Sequence, residues 1–85
     1  MNMQDILEEK ILKVIQDAGE PLETKEIQQL LENFNLKNIT RTKVFYRLTN
    51  LRGEGQIKGK FVGPGKGVWI WWIQMVIAKK GGKNE

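Results

Sequence analysis

Arg41, Lys43 and Arg47 stand in one short stretch, interleaved with Thr42, Tyr46 and Asn50. Arginine and asparagine are the side chains suited to bidentate contact with guanine and adenine edges. Threonine and tyrosine hydroxyls donate well to phosphate oxygens. Thr40 just before them reads as a helix N-cap, and the free backbone N–H groups that follow a cap can also receive a phosphate. Further along, Lys58 and Lys60 alternate on one face of a strand, and Lys66 lies between Gly65 and Gly67 in a turn. These residue types hold an acidic polymer; they do not break bonds. If five or six of the cations each neutralise a phosphate, affinity falls with salt at a logarithmic slope of about −5.

Other chemistries lack their residues. The chain has no cysteine and no histidine, which removes disulfides, zinc sites of the Cys/His type, thiol nucleophiles and imidazole bases. The carboxylates are scattered along the first two helices, and no pair is set apart for acid–base work. Gly63-Pro64-Gly65-Lys66-Gly67 lacks the phosphate-loop order G-x-x-x-x-G-K-[ST] and leads into a strand rather than a helix. Gly53-Glu54-Gly55 follows a helix rather than a strand, so it is no dinucleotide fingerprint. The expectation is a binding protein that is not an enzyme, with no metal, cofactor or small-molecule ligand.

The net charge of +4 conceals an asymmetry. Up to Phe34 there are three lysines against eight carboxylates, a net −5; beyond it eleven cations face two carboxylates, a net +9. A fold that turns the second part outward presents a positive face, for which nucleic acid is the default partner. Eighty-five residues make one small domain with one modest core. The acidic N-terminus has no signal-peptide pattern. The most apolar run, 68–78, is shorter than the roughly 20 residues that span a bilayer. These features lead to the expectation of no membrane association and of a cytoplasmic, intracellular and nucleoid-associated protein, with residues 1–78 as the domain and 79–85 as a flexible basic tail.

The elements that must position the cations follow from periodicity. Leu7, Ile11, Val14, Ile15 and Ala18 form the stripe of a first helix, with Asp5 at its start and Gly19 and Pro21 ending it. Thr24 reads as the N-cap of a second helix with the stripe Ile27, Leu30, Leu31 and Phe34. Asn33, Asn35 and Asn38 mark a turn that Leu36 and Ile39 anchor on the core. Val44, Leu48 and Leu51, flanked by Phe45, are the buried stripe of a third helix, so Arg41, Thr42, Lys43, Tyr46, Arg47 and Asn50 take its opposite face.

From Gln56 the period becomes two. Pairing Val62 with Val68 across the glycine turn sets Phe61 opposite Trp69, Lys60 opposite Ile70, Gly59 opposite Trp71, Lys58 opposite Trp72 and Ile57 opposite Ile73. Ile57, Gly59, Phe61, Trp69, Trp71 and Ile73 then form a core face, and Lys58, Lys60, Val62, Val68, Ile70 and Trp72 an outer face.

Taken in order, Pro21-Leu22-Glu23-Thr24-Lys25-Glu26-Ile27, the run from Thr40 to Leu48, then Leu51, Gly55 and Ile57 resemble the winged helix-turn-helix superfamily over roughly residues 5 to 73. The link between the second and third helices is longer than the three-to-four-residue turn of the compact motif. The resemblance implies an α+β fold: a three-helix bundle with a helix-turn-helix, then a two-stranded β-hairpin wing. It implies double-stranded DNA as partner, with the third helix in the major groove and the wing on the backbone or minor groove, as in a small transcriptional regulator. Two other readings stay open. In one, the outer face of Val68, Ile70 and Trp72 is an interaction patch for a protein partner or a homodimer contact, extended by 74–78. In the other, the wing and the tail lysines bind nucleic acid without sequence preference. Lys58 across from Trp72 also fits a plain cation–π strand pair.

Overall fold

The structure, a computed structural model, describes residues 3–73, with side chains from Ile6 onward. The expectations for 74–85 lie outside the described residues. Helix α1 (Met3–Ala18) buries Leu7, Ile11, Val14 and Ile15 in the core. Asp5 falls in its first turn. Gly19 follows the helix at φ 67, the left-handed conformation that ends a helix most easily at glycine.

The expected two-stranded ribbon is instead part of a three-stranded antiparallel sheet. A short strand β1 (Leu22–Glu23) pairs Leu22 with Trp71 and Glu23 with Ile70. With β2 (Lys58–Val62) and β3 (Val68–Trp72), the order is β1-β3-β2, so β3 is central. Two residues carry no alternation, which is why β1 reads in sequence as mere approach to the next helix.

Helix α2 (Thr24–Leu31) is capped by Glu23 rather than by Thr24. The Glu23 N–H donates to Glu26 Oε1 at 2.8 Å, the returning half of a capping box. Thr24 is thereby free for another role: its hydroxyl accepts the Trp71 indole N–H at 2.9 Å. The buried stripe is narrower than expected. Ile27 and Leu31 are buried, Leu30 is exposed, and Phe34 is half-buried in a 3₁₀ turn (Glu32–Phe34) beneath Lys10. Asn35 and Asn38 then take left-handed φ of 57 and 59, a conformation that asparagine tolerates better than most residues. Leu36 and Ile39 pack on the core from this link. The Gln28 side-chain amide donates to the Ile39 carbonyl at 3.2 Å, tying the link to α2.

Helix α3 (Arg41–Gly53) starts at Thr40, whose Oγ1 accepts from the Lys43 N–H at 3.1 Å. Val44, Leu48 and Leu51 are fully buried; each such side chain contributes about 1.5–3 kcal/mol by leaving water. The helix closes with Gln56 N–H on the Leu51 carbonyl and Gly55 N–H on the Arg52 carbonyl, both at 3.0 Å, and Gly55 at φ 82. That pair of bonds is the Schellman arrangement, which fixes where the chain turns into β2.

The β2–β3 register runs from Lys58↔Trp72 to Val62↔Val68, as counted from the turn. Gly59 faces Trp71, and a Cβ there would meet the indole at 2.6 and 2.7 Å. The Trp71 ring therefore fills the space a side chain at 59 would need. Trp71 and Ile57 are buried, and Trp69 and Ile73 pack partly against them. Phe61 departs from the expected core: it is 53% exposed, because no helix reaches its end of the hairpin.

Candidate nucleic-acid interface

The six candidate residues of α3 differ in placement and surroundings: Thr42, Tyr46 and Asn50 lie away from the buried stripe, Arg41 on one flank of it, and Lys43 and Arg47 on the other. Arg41, Thr42, Lys43 and Tyr46 are exposed, as is Thr40 at the cap, while Arg47 and Asn50 are half-buried. The Arg47 guanidinium lies 5.6 Å from the centre of the Tyr46 ring, within cation–π range. Thr42, Lys43, Tyr46 and Arg47 border a groove with Lys37, Asn38 and Ile39 from the preceding link. Lys37 thus joins the cations of α3, a residue the sequence pattern did not single out. With Lys43 N–H held by Thr40 Oγ1 and Val44 N–H by the Thr40 carbonyl, the backbone donors at the start of α3 are partly committed to the cap.

The hairpin cations divide into two sets. Lys58, Lys60 and Lys66 are all exposed. Lys58 and Lys60 stand opposite Trp72 and Ile70, on the sheet face that points away from the buried Trp71 and hence away from α3. Lys66 occupies the turn between Gly65 and Gly67, whose φ values are 74 and 40. It is the hairpin cation whose position does not depend on a sheet face.

Ile70 and Trp72 are half-buried rather than open, whereas Val68 is exposed. They border a groove with Ile15, Gln16, Gly19, Glu20, Pro21 and Ile73. The end of α1 and the turn after it cover part of the outer sheet face, because β1 draws that turn alongside β3. Trp72 turns to this groove; among the described residues the cation–π pairs are Lys10–Phe34, Arg47–Tyr46 and Arg52–Trp69, not Lys58–Trp72.

Sequence reasoning missed the groove that joins the two candidate elements. Arg41, Thr42 and Phe45 at the start of α3 and Phe61, Gly67, Val68 and Trp69 of the hairpin enclose about 540 Å³, closed on the third side by Glu23, Thr24 and Lys25. Its aromatics pack edge to face, Phe45–Trp69 at 6.3 Å and Phe61–Trp69 at 6.0 Å between ring centres. Arg52 lies over Trp69 at 5.3 Å.

Among the described residues there is no cluster of three acidic ligands placed to hold a metal, and no helix is long and apolar enough to cross a membrane. No family model matches the chain, and no curated protein matches its sequence. A solved structure of HOP2, described by its DNA recognition and protein interaction domains and its homologous DNA pairing properties, aligns with TM-score 0.64 at 24% identity. The alignment covers 80% of this chain and 98% of that chain. At that identity the likeness is one of fold: a small α+β domain of three helices and a three-stranded antiparallel sheet, compatible with a winged helix.

Proposed function

We propose that this domain is a winged helix that binds double-stranded DNA, with the outer face of α3 in the major groove and the hairpin acting as a wing on the phosphate backbone. The observation that carries the reading is the exposed set Arg41, Thr42, Lys43 and Tyr46 on the first turns of α3, with Thr42 and Tyr46 opposite the buried Val44, Leu48 and Leu51 and with Arg41 and Lys43 on the two flanks of that stripe. The rest of the charge pattern supports it, since the carboxylates concentrate in the first 34 residues and the cations after them. Arg47 and Asn50 serve as base-reading side chains at the inner edge of this face, and Lys66 at the turn is the wing's phosphate contact. The DNA recognition described for HOP2 lends the reading a precedent on the same fold. The role is one of binding without catalysis, in a small regulator of transcription.

The test is duplex binding by fluorescence anisotropy across a salt series. The expected logarithmic slope is about −4, from Lys37, Arg41, Lys43 and Lys66 with Lys58 and Lys60 facing away, and Lys43→Ala should reduce its magnitude by about 1. Binding that ignores salt, or survives Arg41→Ala and Lys43→Ala together unchanged, would overturn the reading. The half-buried Ile70 and Trp72 groove supports a second role as contact for a protein partner or a second copy of the chain.

A further inference from the structure

A helix in the major groove and lysines on the backbone leave the aromatic groove between α3 and the hairpin without a task. We propose that this groove receives an unpaired nucleobase, stacked on Phe61, with the adjoining phosphate held by Arg41 and Lys25. The proposal deepens the DNA-binding reading and rests on it.

Phe61 is 53% exposed on a wall of a groove of about 540 Å³, within the roughly 300–1,000 Å³ of ordinary ligand clefts. Its ring is held in place rather than free: it covers Gly67, where an added Cβ would clash with it, and it meets Trp69 edge to face. A ring fixed on one side and open on the other is a stacking platform. Phe45, 36% exposed, is a second aromatic wall. The charges suit a nucleotide. Lys25 and Arg41 supply cations for a phosphate, and Glu23 supplies an acceptor for an exocyclic amino group. Arg41 and Thr42 belong both to this groove and to the outer face of α3. A base displaced from a duplex lying along α3 therefore has a short path into it. A base still paired and stacked in the helix cannot present its flat face to Phe61, so the groove discriminates between paired and unpaired DNA.

The test uses the full chain, one paired duplex and the same duplex with a single bulged nucleotide, compared by anisotropy at one salt concentration. Wild type should prefer the bulged duplex. Phe61→Leu, which keeps apolar bulk but removes the π face, should weaken bulge binding about tenfold and paired binding less than about twofold. Phe61→Tyr should restore the preference, and the exposed position leaves folding intact in both variants. A wild type without preference, or a Phe61→Leu variant that affects both duplexes alike or neither, overturns the base-binding proposal while the duplex reading stands. A wild type that binds neither duplex overturns both.

Discussion

Phe61 and Trp71 stand on the same face of the hairpin, Phe61 opposite Trp69 and Trp71 opposite Gly59. Yet Trp71 is fully buried and Phe61 is 53% exposed. The difference lies in what surrounds each. At the base, β3 is flanked on both sides, since Leu22 pairs with Trp71 across from Gly59. Helix α2 contributes Thr24 to the indole N–H, and Phe45 of α3 meets the ring at 5.7 Å. At the tip the hairpin has two strands, because β1 reaches only Ile70 and Trp71. Alternation decides which way a strand residue points; the extent of neighbouring elements decides whether that direction is core or solvent. The base of the hairpin serves the fold, which leaves its tip available for binding.

The sharpest break of this contrast is Trp71→Ala. Removing the largest fully buried side chain should cost about 3–5 kcal/mol, read as a lower denaturation midpoint in urea. In a domain this small that is a large share of a stability of about 5–15 kcal/mol. Gly59→Ala approaches the same contact from the other strand. Its Cβ would lie 2.6 Å from the indole, so either the ring or the strand must move, at a cost of about 3 kcal/mol. A Gly59→Ala protein as stable as wild type would mean that the base of the hairpin is as loosely covered as the tip.

Much of the base was open to sequence reasoning, and the tip was not. Val44, Leu48 and Leu51 recur at helical spacing and are buried. Thr40 and Gly55 cap α3 where turn chemistry puts them, and the register followed from counting outward from the glycine turn. The close fit of Gly59 against Trp71 followed from that register. Strand β1 did not, since two residues have no period, and with it went the central place of β3 and the partial cover over Ile70 and Trp72. Thr24 looked like the better cap because threonine commonly is one, but a residue 47 positions away claims its hydroxyl. The aromatic groove was hidden for a related reason. Phe45 reads as the flank of a helix stripe and Phe61 as a strand's inner face, and neither period marks where the neighbouring elements stop.

Thr24→Val probes the base more gently. Valine keeps the shape of threonine and removes the oxygen that accepts the Trp71 N–H. The indole donor would then be buried without a partner, which costs about 1–2 kcal/mol. Equilibrium unfolding should show this loss, while Thr24→Ser, which retains an acceptor, should recover most of it. If valine and serine behave alike, the hydrogen bond is not what holds α2 against the base of the sheet.

The smallest expected change in stability is at the tip, and it is the most instructive. Phe61→Ala removes an aromatic ring from the same strand face as Trp71, but from a position about half exposed. Its loss should be about 1 kcal/mol, from the edge-to-face contact with Trp69, well below that of Trp71→Ala. The comparison with Trp71→Ala then isolates coverage from residue type, since both substitutions delete an aromatic side chain from one hairpin face. A loss at Phe61 approaching that at Trp71 would show that the tip is packed in solution and closed to a ligand. A small loss leaves a fixed, exposed ring beside Arg41 that the fold does not depend on, the condition the stacking role requires.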